Sequence, residues 1–346
     1  MRSHERLRKV MKKLLFFLIS IFVGFGLLFW IIRAIGWGEI RLAFLTFSGW
    51  HGLIILGLTL LMLIVGNWRW KEILKNQGNN LSFLSLFRLY LAGFSILFFA
   101  PMIIFGGETF RAYLLKEKYS IPWAKGMASV IVDRIIELTI YILIILTGVI
   151  FLFSYRGLPP GYLAMILGGT LVFFIVMIGL FYFKSFKKQS VFKFFGKLFN
   201  PKIDDGEPFE VEKEFIKLLK PKKTFFWKIV GLSCLKCGLA LTRTWFLILS
   251  LGKVISFLPA LSILSFSYLA ILIPIPAALG THEAFQTLTF NNLDLGASIA
   301  PVFTMVIRIA ELTLALIGAF ILFRLGAGLL GSILFRKIEN LINNKR

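Results

Sequence analysis

The chain has 346 residues, 58% of them hydrophobic, with 38 Phe and a net charge of +22, and its mean hydropathy is +0.84. This composition belongs to polytopic membrane proteins and excludes an ordinary soluble enzyme. On a soluble chain the charge would point to nucleic acid; here it marks cytoplasmic loops and anionic lipid headgroups, so no nucleic-acid partner is expected.

Residues 1–13 hold six Lys and Arg, and 14–32 form an apolar run long enough to span a bilayer. The run is too long for a secretory h-region and no small-residue cleavage site follows, which predicts an uncleaved first helix with a cytoplasmic N-terminus. Residues 51–68 return across the membrane, with Trp37 and Trp50 suited to the interface between. Further spans are predicted at 124–153, 161–183, 228–250 and 296–323. The apolar runs 83–105 and 259–276 are different, because each ends at Pro or Gly breaks. If both crossed, 16 Lys and Arg would lie inside and 18 outside. If both enter and leave on one side, the split is 30 inside against 4 outside. The positive-inside rule selects the second arrangement, an all-α membrane protein of six spans and two re-entrant hairpins with both termini cytoplasmic.

Segments 101–139 and 270–313 are similar. Val-Asp-Arg-Ile-Ile-Glu-Leu-Thr at 132–139 matches Val-Ile-Arg-Ile-Ala-Glu-Leu-Thr at 306–313, and the Glu-to-Arg spacings Glu108–Arg134 and Glu283–Arg308 are 26 and 25 residues. Arg69 precedes Glu108 by 39 residues and Arg243 precedes Glu283 by 40, each beside a Trp. With the re-entrant topology the two copies are inverted, and inverted repeats with Gly/Pro-broken segments in matching places signal a transporter. The chain then divides into 1–50 (cytoplasmic segment and first span), 51–183 (first repeat), 184–227 (basic cytoplasmic loop), 228–325 (second, inverted repeat) and 326–346 (amphipathic basic tail). The loop and tail mix basic and apolar residues. Each suits either an anionic leaflet or an ordinary solvated face with some core contact.

Pro-x(4)-Gly-Gly-Glu-x-x-Arg-Ala-Tyr-Leu-Leu at 101–115, Arg-Ile-Ile-Glu-Leu at 134–138 and Pro-x-Pro-x(3)-Gly-x-x-Glu-Ala at 274–284 resemble the flippase-type membrane region of lysylphosphatidylglycerol synthases and its stand-alone relatives. The resemblance covers nearly the whole chain. It implies a multi-pass protein of the inner membrane that moves an anionic or modified lipid, such as a phospholipid or a polyprenyl-phosphate lipid, between leaflets. Aminoacylation is not carried over, because the chain ends at Arg346 without the soluble transferase domain. Ala277-Ala278 departs from the glycines frequent in the family.

Ionised groups at bilayer depth cost about 2.5–3.5 kcal/mol each on the lenient insertion scale, so they face partners or a wet cavity. The candidate transport residues are Arg69, Glu108, Arg111, Asp133, Arg134, Glu137, Arg243, Glu283, Arg308 and Glu311, with Pro101, Gly106, Gly107, Pro274, Pro276 and Gly280 as hinges. The arginines suit lipid phosphate and the glutamates suit counter-ion or proton-carrying roles. The competing readings are a helix cap at Glu108, a same-helix pair of Arg111 with Glu108, and a structural ion network locking the repeats at Arg134, Glu137, Arg308 and Glu311. Asp133 matches Ile307 and is expected at the cytoplasmic vestibule. His282-Glu283 lacks the second histidine of a zinc-protease motif, where Gln286 stands. The pair Cys234 and Cys237 reads as core packing, no cofactor or metal is expected, and a homodimer stays open. The leading expectation is a transporter rather than an enzyme. A membrane-embedded headgroup transferase and a scaffold of a lipid-synthesis complex are the alternatives.

Overall fold

The computed structural model describes residues 49–99, 106–157, 207–218, 223–272 and 281–343 with a few isolated positions besides, and side chains as far as 326. Among them are nine α-helices and no strand: α1 (Trp50–Asn76), α2 (Phe83–Phe99), α3 (Gly106–Tyr119), α4 (Trp123–Arg156), α5 (Glu207–Leu218), α6 (Lys223–Ser250), α7 (Phe257–Leu272), α8 (Thr281–Asn292) and α9 (Ala300–Asn343). Four stretches are long and apolar enough to cross a membrane: Trp50–Asn76, Trp123–Tyr155, Thr224–Ser250 and Ala297–Gly326. They coincide with four of the six spans expected from sequence. The other two, 14–32 and 161–183, lie outside the described residues, apart from isolated positions in the second. The two apolar runs singled out as broken are short helices, α2 of 17 residues and α7 of 16. Each is followed by a more polar helix, α3 or α8.

The matching segments end their helices in matching ways. Gly78, at φ 85°, turns the chain so that the amides of Gly78 and Asn79 donate to the carbonyls of Lys75 and Leu74, both at 3.0 Å. Gly252, at φ 76°, does the same for α6: its amide donates to Leu249 at 3.0 Å and that of Lys253 to Ile248 at 3.2 Å. Both turns close the last carbonyls of a helix through a residue in the left-handed region, where glycine carries no Cβ penalty. The described non-glycine residues with positive φ, Ser120 at 52° and Asp294 at 55°, follow α3 and α8 at corresponding places.

The short helices pack across the two halves. Helix α7 lies on α4, where the Ser262 and Ser265 hydroxyls donate to the Gly148 and Ile144 carbonyls at 3.0 and 2.7 Å. A Cβ on Gly148 would collide with the Ser265 side chain, so the absence of a side chain there permits this approach. Helix α2 lies on α9, with Gly318 against the Leu91 carbonyl. Helices α1 and α6 meet through Ile55, Leu247 and Ile248.

Helix α5 rests on α4. Val211, Phe215 and Leu218 are buried against Ala124, Ala128, Ile131 and Val132. This part of the basic loop therefore takes the core-contact alternative, because its apolar face finds protein. Cys237 packs beside the α4–α7 core. Cys234 corrects the core reading: one turn earlier on α6 it faces outward, and both thiols are free.

Candidate functional site

A cavity of about 330 Å³ is lined by residues from every described helix except α5. One wall is apolar, with Phe94, Leu97 and Phe98 from α2 and Leu264, Ile271 and Leu272 from α7. The other carries charge. Glu108 and Arg111 come from α3, Asp133, Arg134 and Glu137 from α4, Lys236 and Arg243 from α6, and Arg308 and Glu311 from α9. Of the ten charged residues expected from sequence, eight line the cavity. Arg69 and Glu283 stand behind them, each bound to lining residues.

In the first half the ions interlock. Asp133 accepts from Arg69 Nε at 2.7 Å and from Arg111 Nη2 at 3.4 Å. Arg134 binds Glu108 at 3.2 Å and Glu137 at 3.0 Å. Glu137 also holds Lys236 and accepts from the Tyr141 hydroxyl at 3.1 Å, with Arg69 at 3.8 Å. The Arg111 guanidinium lies 3.9 Å from the Trp70 ring centroid and 4.6 Å from that of Tyr90. Stacking on two electron-rich faces supplements its weak hold on Asp133. Backbone closeness brings Arg111 here: Gly93 and Gly107 touch, and a Cβ on Gly93 would meet the Arg111 side chain at 2.8 Å.

The second half repeats part of this plan. Arg308 binds Glu283 at 3.0 Å, as Arg134 binds Glu108. Arg243 binds Glu311 at 3.1 Å, as Arg69 faces Glu137. The halves also exchange hydrogen bonds: Arg243 donates to Thr59 at 3.2 Å and Arg69 to Ser233 at 3.3 Å.

One competing reading and one expectation change. The same-helix pair of Arg111 with Glu108, the alternative to a phosphate-binding role, does not form: Arg111 pairs with Asp133, and Arg134 takes Glu108. Asp133, expected at the vestibule, is clamped between two arginines and 3% exposed. Gly107 is placed at the α2–α3 contact and Gly106 opens α3. Pro101, Pro274, Pro276 and Gly280 lie outside the described residues. Lys236, Tyr141, Tyr268 and His282 also line the cavity and were absent from the expected set. The signal for Lys236 was present, as a lone lysine within an apolar run. Among the described residues no three His, Cys, Asp or Glu side chains come together as metal ligands.

The sequence model of the lysylphosphatidylglycerol synthase TM region matches residues 17–318. The chain belongs to this family. Two relatives are the UPF0104 membrane proteins MJ1595 of Methanocaldococcus jannaschii and PH1989 of Pyrococcus horikoshii. The first is 26% identical over 316 residues, covering 88% of this chain and 93% of the relative. The second is 25% identical over 260 residues, covering 70% and 76%. Family membership and the apolar helices together make this a multi-pass membrane protein.

Proposed function

We propose that this member of the lysylphosphatidylglycerol synthase TM family is a lipid transporter of the cytoplasmic membrane. It moves an anionic, phosphate-bearing lipid between leaflets by alternating access, without chemical change to the cargo. In this reading α2 with α3 and α7 with α8 form re-entrant hairpins, the two halves are inverted, and both termini are cytoplasmic. The observation that carries it is the two-sided cavity. Six cations (Arg69, Arg111, Arg134, Lys236, Arg243 and Arg308) face five carboxylates (Glu108, Asp133, Glu137, Glu283 and Glu311) in and around it. The surplus of one positive charge suits one phosphodiester anion, and bidentate arginines suit its oxygens. The apolar wall suits the start of the acyl chains, and at its edge Ile271 is half exposed, toward where lipid would lie. A family description drawn from an enzyme of phospholipid modification agrees with such a cargo.

The test is headgroup accessibility of labelled phosphatidylglycerol and polyprenyl phosphate in liposomes containing the purified protein, with and without a pH gradient. Wild type is expected to accelerate exposure, and Arg134→Gln/Arg308→Gln to lose at least about tenfold of that rate, since a charged hydrogen bond contributes about 1.5–3 kcal/mol. No acceleration of either lipid by folded wild-type protein would sink the proposal.

A further inference from the structure

The two halves of the charged wall differ at one place in a way that points to where the cargo's anion sits. In the first half, Arg69 Nε is taken by the Asp133 carboxylate at 2.7 Å. In the second half the matching arginine is Arg243, and the position matching Asp133 is Ile307. Ile307 lines the cavity and packs in one cluster with Leu247, a turn beyond Arg243. Among the described residues no carboxylate therefore serves Arg243 Nε, which has no partner there.

In the second half two more buried polar atoms of cavity-lining residues are likewise unpartnered among the described residues, Thr244 Oγ1 and His282 Nε2, whereas in the first half Arg111 Nε is unpartnered on a guanidinium already held by Asp133 and two rings. Thr244 is 1% exposed and His282 5%, and both line the cavity. Leaving such groups without a hydrogen bond costs about 1–3 kcal/mol apiece, so three of them on residues lining one cavity point to a ligand position. His282 stands in the first turn of the 12-residue α8, the positive end of the helix dipole, and the charges that act on it are those of Arg308 and Arg243. In the first half the corresponding side chains cannot serve. Trp70 donates its indole N–H to Ser129 at 3.1 Å, and Gly107 has no side chain.

We infer that Arg243, Thr244 and His282 form the subsite for the anionic phosphodiester of the cargo, in the place that the Asp133 carboxylate fills in the other half. The inference rests on the transport reading for the identity of the cargo, but the geometry asks only for a phosphate-type anion. A phosphate oxygen would accept from Arg243 Nε and from the Thr244 hydroxyl. His282 would donate through Nε2 in the tautomer that places its proton there.

The chain has three histidines, so the imidazole signals of ¹⁵N-histidine-labelled full chain in phosphatidylcholine nanodiscs can be assigned by the loss of one in His282→Gln. The expected result is a saturable shift of the His282 signal on adding phosphatidylglycerol to the bilayer. A shift with inorganic phosphate alone supports the subsite with a soluble anion as its ligand. The decisive variant is Ile307→Asp, which supplies internally the carboxylate that Asp133 supplies to Arg69. It should weaken anion binding by about tenfold or more, the scale of one charged hydrogen bond. Thr244→Val, nearly isosteric, should weaken it several-fold and serves if Ile307→Asp does not fold. No His282 response to either probe, or wild-type affinity in the folded variants, overturns the inference. Transport by wild type without any His282 response would sink the subsite alone. A His282 response without transport would sink the transport reading and leave the subsite standing.

Discussion

The two halves of the charged wall are built from one motif and hold their ions differently. In the first half Asp133 and Glu137 each serve more than one cation, and their side chains are only 4% and 7% exposed. In the second half the glutamates that hold Arg308 and Arg243 are 23% and 25% exposed. The cause is a small set of substitutions between the copies. Asp133 faces a cavity where Ile307 stands opposite, and Lys236 of α6 reaches across to Glu137 of α4. Burial raises the cost of an uncompensated ion, so an interlocked half is rigid and a wetter half can exchange partners. The lesson is that sequence symmetry in a repeat does not carry over to ionic environment; the positions that differ decide it.

The sharpest way to break this comparison is Asp133→Asn. It leaves Arg69 and Arg111 buried against an uncharged amide and should cost about 3–5 kcal/mol, the usual toll of removing one partner of a buried pair. A thermal melt of the detergent-purified variant measures it, and a change within error of wild type would show that the first half is not locked through this carboxylate. Lys236→Met, the residue of its counterpart Met62, should cost less, about 1–3 kcal/mol, because Glu137 keeps Arg134, Arg69 and Tyr141. A double-mutant cycle with Glu137→Gln reads the coupling, and additivity would deny a link between the halves.

Glu311→Gln should cost only about 1 kcal/mol, since the glutamate is a quarter exposed and Arg243 retains Thr59. If it melted as low as Asp133→Asn, the contrast between the halves would collapse. The smallest effect sharpens the symmetry instead. Gly78→Ala and Gly252→Ala should each lose about 1 kcal/mol, and equally, because both replace a left-handed residue in the same kind of turn. Unequal losses in the two melts would mean the turns are not equivalent.

Much of the site was legible before any coordinates. Ionised residues inside apolar runs stand out, and the eight-residue match between 132–139 and 306–313 aligned the copies residue by residue. All ten charged candidates entered the network for that reason. What sequence could not supply was partnership across helices. For Arg111 the alternative to phosphate binding is a pair with Glu108, because spacing along one helix is all that a sequence displays, whereas the Gly93–Gly107 contact brings Arg111 to Asp133. Lys236 is in sequence only a lone lysine within an apolar run, since its role depends on α6 facing α4. His282 was weighed only as a metal ligand, and its position on the cavity wall follows from the packing of α8. The long apolar helices were the easiest element to read, because span length follows directly from bilayer thickness.

The unequal halves have one further consequence, for the energies of states rather than of contacts. In the proposed inverted arrangement, identical copies that exchanged conformation would return the same molecule turned over, and its two orientations would be degenerate and equally populated. Asp133 and the Lys236–Glu137 bridge remove that degeneracy, since each is present in one copy and absent from the other. A bias of about 1.4 kcal/mol already sets a ratio of ten to one between the two states. In the transport reading proposed above, a chain built this way carries its own resting direction, and the cargo has only to offset that bias to reverse it.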